Sequence, residues 1–234
     1  MPEGPEAVTR RGFAGLAAGV GLLATGVPVS HADARESVPS PRDALRLLMQ
    51  GNRRWARARA VHPHQSVPWR LHVAEHQEPF ATVVSCIDSR VPPEIVFDRG
   101  VGDMFVVRTG AQTLDDLVVL GSVEFGPVYY RSARLMVVLG HEKCGAVIAA
   151  IESIETGQPA PGHIKAVVDA LRPAYRAAKL LPGDLVDNMT RAQIQLTVCR
   201  LKRDPPLRRL IAHSGLLMVG GYYHLRSGIV DIIA

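Results

Sequence analysis

The sequence predicts an α/β fold: a central, mainly parallel β-sheet flanked by helices. Three observations carry this. Short apolar, β-branched runs recur along the chain at Ala81–Ser85, Met104–Val107, Leu135–Leu139 and Leu216–Gly220. Helical-looking segments separate them, the alternation expected of a parallel sheet covered on both faces. Cys86 and His141, residues with pointed chemistry, each fall just after the end of one such run. Open α/β sheets bind their ligands at those carboxyl ends.

Taken in order, residues 1–34 read as an export signal. Arg10 and Arg11 precede Phe13, an apolar Gly/Ala-rich run extends from Ala14 to Val29, and His31-Ala32-Asp33-Ala34 offers an Ala-x-Ala cleavage pattern. Charged start, apolar middle and small-residue end define a signal peptide, and the paired arginines resemble a twin-arginine signal. The run is shorter than the roughly 20 residues of a membrane span, and no later stretch qualifies, so no stable membrane span is expected. The expectation is export to the periplasm or outside, with a cytoplasmic protein as the alternative where the signal does not function. Residues 35–234 then form one domain.

A Pro/Ser-containing linker leads to Ser40-Pro41-Arg42-Asp43, which opens a helix with Ser40 as N-cap and Pro41 in its first position. Leu45, Leu48, Met49 and Trp55 recur on that helix at near-helical spacing. The stretch His62–Pro79 has no clean period and reads as a loop with at most one helical turn. Its histidines His62, His64, His72 and His76 are candidate proton carriers, although loop histidines are mostly just solvated. Helices are expected near 114–125, 144–156, 163–178, 186–203 and 205–213, and an edge strand within Ile229–Ile233. There is no internal repeat.

Composition agrees with one globular domain. The chain has 234 residues, 47% apolar and 21% charged, which is neither disordered nor membrane-like. The net charge of +5 comes from scattered basic residues with no aromatic interleaving. That argues against nucleic acid and leaves room for a small anionic ligand. Three cysteines do not make a disulfide framework. Cys199, within Gln193–Cys199, reads as a small buried hydrophobe.

The chemistry concentrates in Cys86-Ile87-Asp88-Ser89-Arg90 and His141-Glu142-Lys143-Cys144-Gly145. Two thiolates and an imidazole suit zinc rather than magnesium or calcium. His141 and Cys144, three residues apart at a helix start, converge on one point, and Cys86 arrives from another strand end. Structural zinc sites have four protein ligands, so three leave the open position of a catalytic site. Asp88 is placed to fill or guard that position, and Arg90 to pair with the carboxylate and draw it off the metal.

These segments, with Gly102-Asp103-Met104-Phe105-Val106-Val107-Arg108 and Gly121-Ser122-Val123-Glu124-Phe125, resemble the β-class carbonic anhydrases from about Ala44 to Ile233. The resemblance implies the β-carbonic anhydrase fold and a homodimer or higher even oligomer with sites near the subunit interface. It implies one Zn2+ per subunit on Cys86, His141 and Cys144, and a catalytic dyad of Asp88 and Arg90. The implied reaction is reversible hydration of carbon dioxide to bicarbonate and a proton, by attack of zinc-bound hydroxide. Asp88 as fourth ligand would close the site. Gln77 matches a substrate-binding glutamine, with a solvated loop residue as the alternative. Gly145 matches a glycine beside the substrate, with helix-start packing as the alternative. Phe125 falls near a pocket aromatic, or in the core. The family pattern Arg-x-Ala-Gly is here Arg108-Thr109-Gly110-Ala111, so Ala111 would have to take a glycine-like backbone. Two other readings stay open: hydrolysis of carbon disulfide or carbonyl sulfide on the same scaffold, and a non-catalytic zinc-bound bicarbonate sensor.

Overall fold

The computed structural model describes residues 38–234, so the expected signal segment lies outside the described residues. The sheet has five strands: β1 Ala81–Cys86, β2 Met104–Thr109, β3 Leu135–His141, β4 Leu217–Tyr223 and β5 Val230–Ile232. Their order is β2-β1-β3-β4-β5. The first four are parallel, and β5 joins β4 antiparallel at the edge. The expected fold class is the observed one. β1 and β3 are buried along their whole length, which is why their sequences read as unbroken apolar runs instead of alternating ones.

Eight helices surround the sheet among the described residues: α1 Pro41–Ala56, α2 Val67–Glu75, α3 Pro93–Val96, α4 Leu117–Tyr129, α5 Gly145–Thr156, α6 Ile164–Ala178, α7 Leu185–Arg203 and α8 Pro205–Ser214. One face of the sheet meets α1 and α3 through Ala44, Leu48, Val96, Ala81, Val83 and Val137. The other meets α4, α7 and α8 through Val123, Ile194, Leu207, Val84, Val138 and Met218. A third apolar cluster joins α5, α6 and α7 to the end of β1, and contains Cys86 and Cys144 themselves. No helix among the described residues is long and apolar enough to cross a membrane.

Local rules account for most boundaries. Ser40 caps α1 by accepting the Asp43 amide at 3.2 Å. Asp116 caps α4 by accepting from Val118 and Val119, so that helix starts three residues later than the apolar pattern suggests. Asp204 ends α7 and caps α8 through the Leu207 amide.

Four differences from the sequence reading have physical reasons. Residues 67–75 are a nine-residue helix and not a loop with one turn. None of its residues is buried, so it shows no apolar period. Ser66, accepting from the Trp69 amide, was the available signal. β4 continues through Gly220 and Gly221 to Tyr223. Those glycines punctuate nothing, because a Cβ at Gly220 would lie 2.6 Å from Ile194 Cγ2, and one at Gly140 2.6 Å from Ile194 Cδ1. Both strands give up side chains so that α7 can pack closely. Cys199 is exposed and not buried, because α7 turns Ile194, Val198 and Leu201 inward. Phe125 is 48% exposed and packs on Phe105, Tyr129 and Tyr130, so it is not a core residue.

Candidate metal centre

Cys86 is the last residue of β1 and His141 the last of β3. Cys144 is the N-cap of α5. All three are buried, and their ligand atoms lie within 4.8 Å of one another. The two sulfurs are 3.9 Å apart. A tetrahedral ion with metal–sulfur bonds of about 2.3 Å holds two sulfurs roughly 3.8 Å apart, so the spacing fits.

The imidazole supplies an independent test. His141 Nδ1 lies 2.9 Å from the Glu142 carbonyl oxygen. A carbonyl only accepts, so Nδ1 carries the proton and Nε2 presents its lone pair. Among the described residues that Nε2 is buried and receives no hydrogen-bond donor. Buried polar nitrogens are rarely left so. A lone pair facing two sulfurs, with its tautomer fixed from behind, is the donor set of a thiophilic metal ion.

Electrostatics prepare the sulfurs. The Cys144 thiol donates to Cys86 and, with the amides of Asp88 and Ala111, outweighs the opposing effect of burial and holds the Cys86 thiol down at about 4. The same donation, together with burial, pushes the Cys144 thiol upward, against the amides of Val147 and Ala146. One proton is thus shared by two sulfurs, and a cation replacing it would leave two thiolates, each supported by amide donors.

Asp88 stands beside the cluster. Its Oδ1 accepts from the Arg90 amide and Nε at 2.9 Å each, and its Oδ2 from Arg90 Nη2 at 2.7 Å. That fork holds the Asp88 carboxyl at about 2 against the opposing effect of burial. Oδ2 is 3.9 Å from His141 Nε2, near the ligands yet held by Arg90. Nη2 of Arg90 also donates to the Lys143 carbonyl at 3.2 Å. Lys143 bridges the two ligands of the second motif with a φ of 52°, a left-handed turn that lets His141 and Cys144 converge.

Ala111 takes the expected glycine-like backbone, with φ 49° and ψ 39°. Its amide thereby reaches the Cys86 sulfur. Gly145 has open space where a Cβ would stand, so no packing contact among the described residues demands a glycine. Gln77 is not brought to the cluster within one chain. It precedes the start of β1 and donates to the Tyr130 hydroxyl at 3.0 Å, whereas Cys86 ends that strand. The strand alone separates them by roughly 17 Å at about 3.3 Å per residue. His64 likewise binds Asp103, just before β2 starts. Sequence reading passed over Arg108, which donates to the Cys86 and Asp88 carbonyls at 2.8 and 2.6 Å.

A parallel α/β sheet with a buried Cys-His-Cys cluster at its carboxyl edge defines a metal-binding α/β protein. Comparison with known proteins gives its family. Residues 81–230 match the family model described as carbonic anhydrase. Carbonic anhydrase 2 of Mycobacterium tuberculosis is 39% identical over 190 residues, covering 81% of this chain and 91% of that protein. The carbonic anhydrase of Mycolicibacterium smegmatis is 35% identical over 194 residues, covering 82% and 93%. Among solved structures, a Coccomyxa β-carbonic anhydrase in complex with acetazolamide superposes with a TM-score of 0.62 at 25% identity, over 80% of this chain and 84% of that one. One of two tetrameric β-carbonic anhydrases from Sordaria macrospora does so at 0.66 and 20% identity, over 82% and 98%, a likeness of fold. The chain belongs to the β-class carbonic anhydrase family and is an enzyme of that family.

Proposed function

We propose that this enzyme hydrates carbon dioxide reversibly to bicarbonate and a proton, using one zinc ion per subunit held by Cys86, His141 and Cys144. The observation that carries the reading is the partnerless buried Nε2 of His141 beside two sulfurs 3.9 Å apart. When bound, zinc lowers the pKa of a coordinated water and so supplies a nucleophile near neutral pH.

The protein's own residues orient the reaction. Three of them hold the metal, which leaves a fourth direction for water and substrate. Asp88, its Oδ2 3.9 Å from His141 Nε2, would accept a hydrogen bond from the nucleophile that such a metal supplies and orient it toward carbon dioxide. Arg90 keeps the carboxylate ionised and holds both its oxygens, which would leave the fourth position of a bound metal open. Rotation of Asp88 onto the metal would close it. The hydration rate of an Asp88→Ala variant, followed across pH by stopped flow, tests this role: a drop of one to two orders of magnitude is expected, and an unchanged rate would sink it. Zinc-replete protein inactive from acidic to alkaline pH would favour a bicarbonate sensor.

Assembly as a homodimer or higher even oligomer is part of the same proposal. On α4, Leu117, Val118 and Tyr129 are 84%, 77% and 73% exposed, apolar surface that a neighbouring copy would cover. β2 is an edge strand with no strand on its outer side among the described residues. In such an assembly Gln77 could serve only the site of a neighbouring copy. Export through the twin-arginine-like signal, with cleavage after Ala34, is proposed from residues 1–34 alone. The N-terminal sequence of mature protein from cell fractions tests it.

A further inference from the structure

Arg108 sits on the face of the sheet away from the metal cluster. It is paired in register with Ser85, and neighbours paired across a sheet project to the same side. Ala81 and Val83, which alternate with Cys86 along β1, pack against α1, whereas Cys86 packs among α5, α6 and α7. Yet the Arg108 guanidinium reaches past the end of the strand, with Nε donating to the Cys86 carbonyl and Nη2 to the Asp88 carbonyl. Between those carbonyls runs the turn that carries one sulfur ligand and the gating carboxylate. The Asp88 amide on that turn donates back to the Cys86 sulfur. A guanidinium is planar and its donors are fixed relative to one another. Two carbonyls held by one such fork cannot rotate independently.

We propose that Arg108 is a positioning residue: by clamping the backbone from Cys86 to Asp88, it sets the Asp88 carboxylate where Arg90 holds it and the metal does not. Both bonds go to main-chain oxygens, so Arg108 acts through the chain and not on substrate. Two arginines thus divide the task, Arg90 on the side chain of Asp88 and Arg108 on its backbone. The inference rests on the zinc reading of the cluster and concerns what keeps that cluster open.

The test compares wild type, R108K and R108Q loaded with cobalt(II) in place of zinc. Metal affinity is read by chelator competition. Coordination is read from the visible cobalt spectrum, which changes when a carboxylate oxygen joins the metal. Loss of an outer-sphere support typically lowers metal affinity or activity about 10- to 100-fold. R108Q is expected to weaken affinity in that range, to shift the spectrum, and to lower kcat for hydration with KM little changed. R108K, which reaches one carbonyl at a time, should fall between. An R108Q protein with wild-type affinity and spectrum would overturn the proposal even if its melting temperature dropped, because a merely structural arginine lowers stability and leaves the coordination sphere alone. If R108Q does not fold, R108K decides by the same readouts. A wild type that binds cobalt but hydrates no carbon dioxide would sink the proposed reaction, and affinity and spectrum would still judge Arg108.

Discussion

Two of the sites where the described residues bury polar groups are finished differently. Between α1 and the loops after α3 and β4, Asn52 donates to the carbonyls of Val96 and Gly228 and accepts the Val230 amide. Nearby, Asp98 accepts from the Arg54 guanidinium and from the amides of Val61 and His62. Each of these groups finds its partners within the chain. At the carboxyl ends of β1 and β3, the buried Nε2 of His141 finds none among the described residues. A buried polar cluster completed by its own chain is a fastener. One left incomplete, with its tautomer and thiols already arranged, is a receptor for something from outside.

That contrast is sharpest under metal removal. Chelation is expected to take hydration activity to background, with recovery on adding zinc, while far-ultraviolet circular dichroism stays close to that of the loaded protein. Cys86→Ser should lose activity just as completely, with metal content falling well below one per chain. Unfolding on chelation would break the contrast, since the cluster would then be a fastener too.

The fastener should answer to pH and to mutation in the opposite manner. Burial works against charge on Asp98, but the Val61 amide, Arg54 and the His62 amide outweigh it and hold its carboxyl below the ordinary value. A folded pKa below the unfolded one means stability that is fully present above about pH 4. It is lost as pH falls through the lowered folded value. Asp98→Asn should therefore remove about 2 kcal/mol at neutral pH and flatten the stability profile below pH 4 in urea titrations. Activity per folded molecule should be unchanged, and a fall in kcat would join the two regions energetically.

The smallest effect is expected at Ala111. Relief of a left-handed alanine stabilises by about 1–2 kcal/mol. Replacing it with glycine also removes a buried methyl, about 0.8 kcal/mol, and loosens the unfolded chain by about 0.4–1 kcal/mol. Ala111→Gly should thus change stability by less than about 1 kcal/mol in either direction. A larger loss in denaturant unfolding would show that the methyl packs against the third apolar cluster more tightly than these terms allow.

Legibility in the sequence followed the range of the interaction. β1 and β3 were readable because burial on both faces forces continuous apolar runs. α2 was not, because a helix that buries nothing carries no period. The candidate metal ligands were readable because thiols and imidazole are few and fall at strand ends. Arg108 was not, because a basic residue near a strand end looks the same whether it meets water or two carbonyls at the end of the neighbouring strand and the turn after it. Gln77 matched by position along the chain, but β1 lies between it and Cys86.

By itself the sequence determined the α/β class, the Cys86-His141-Cys144 donor set and the Asp88–Arg90 pair. These depend on periodicity and residue chemistry, which are local. Only the tertiary structure decided that His141 keeps one nitrogen open, that Ala111 turns its amide onto the Cys86 sulfur, and that Arg108 reaches the turn after β1. Each of those depends on which strands lie side by side. Register between β1, β2 and β3 is set by the burial of the whole sheet, and no short stretch of sequence contains it.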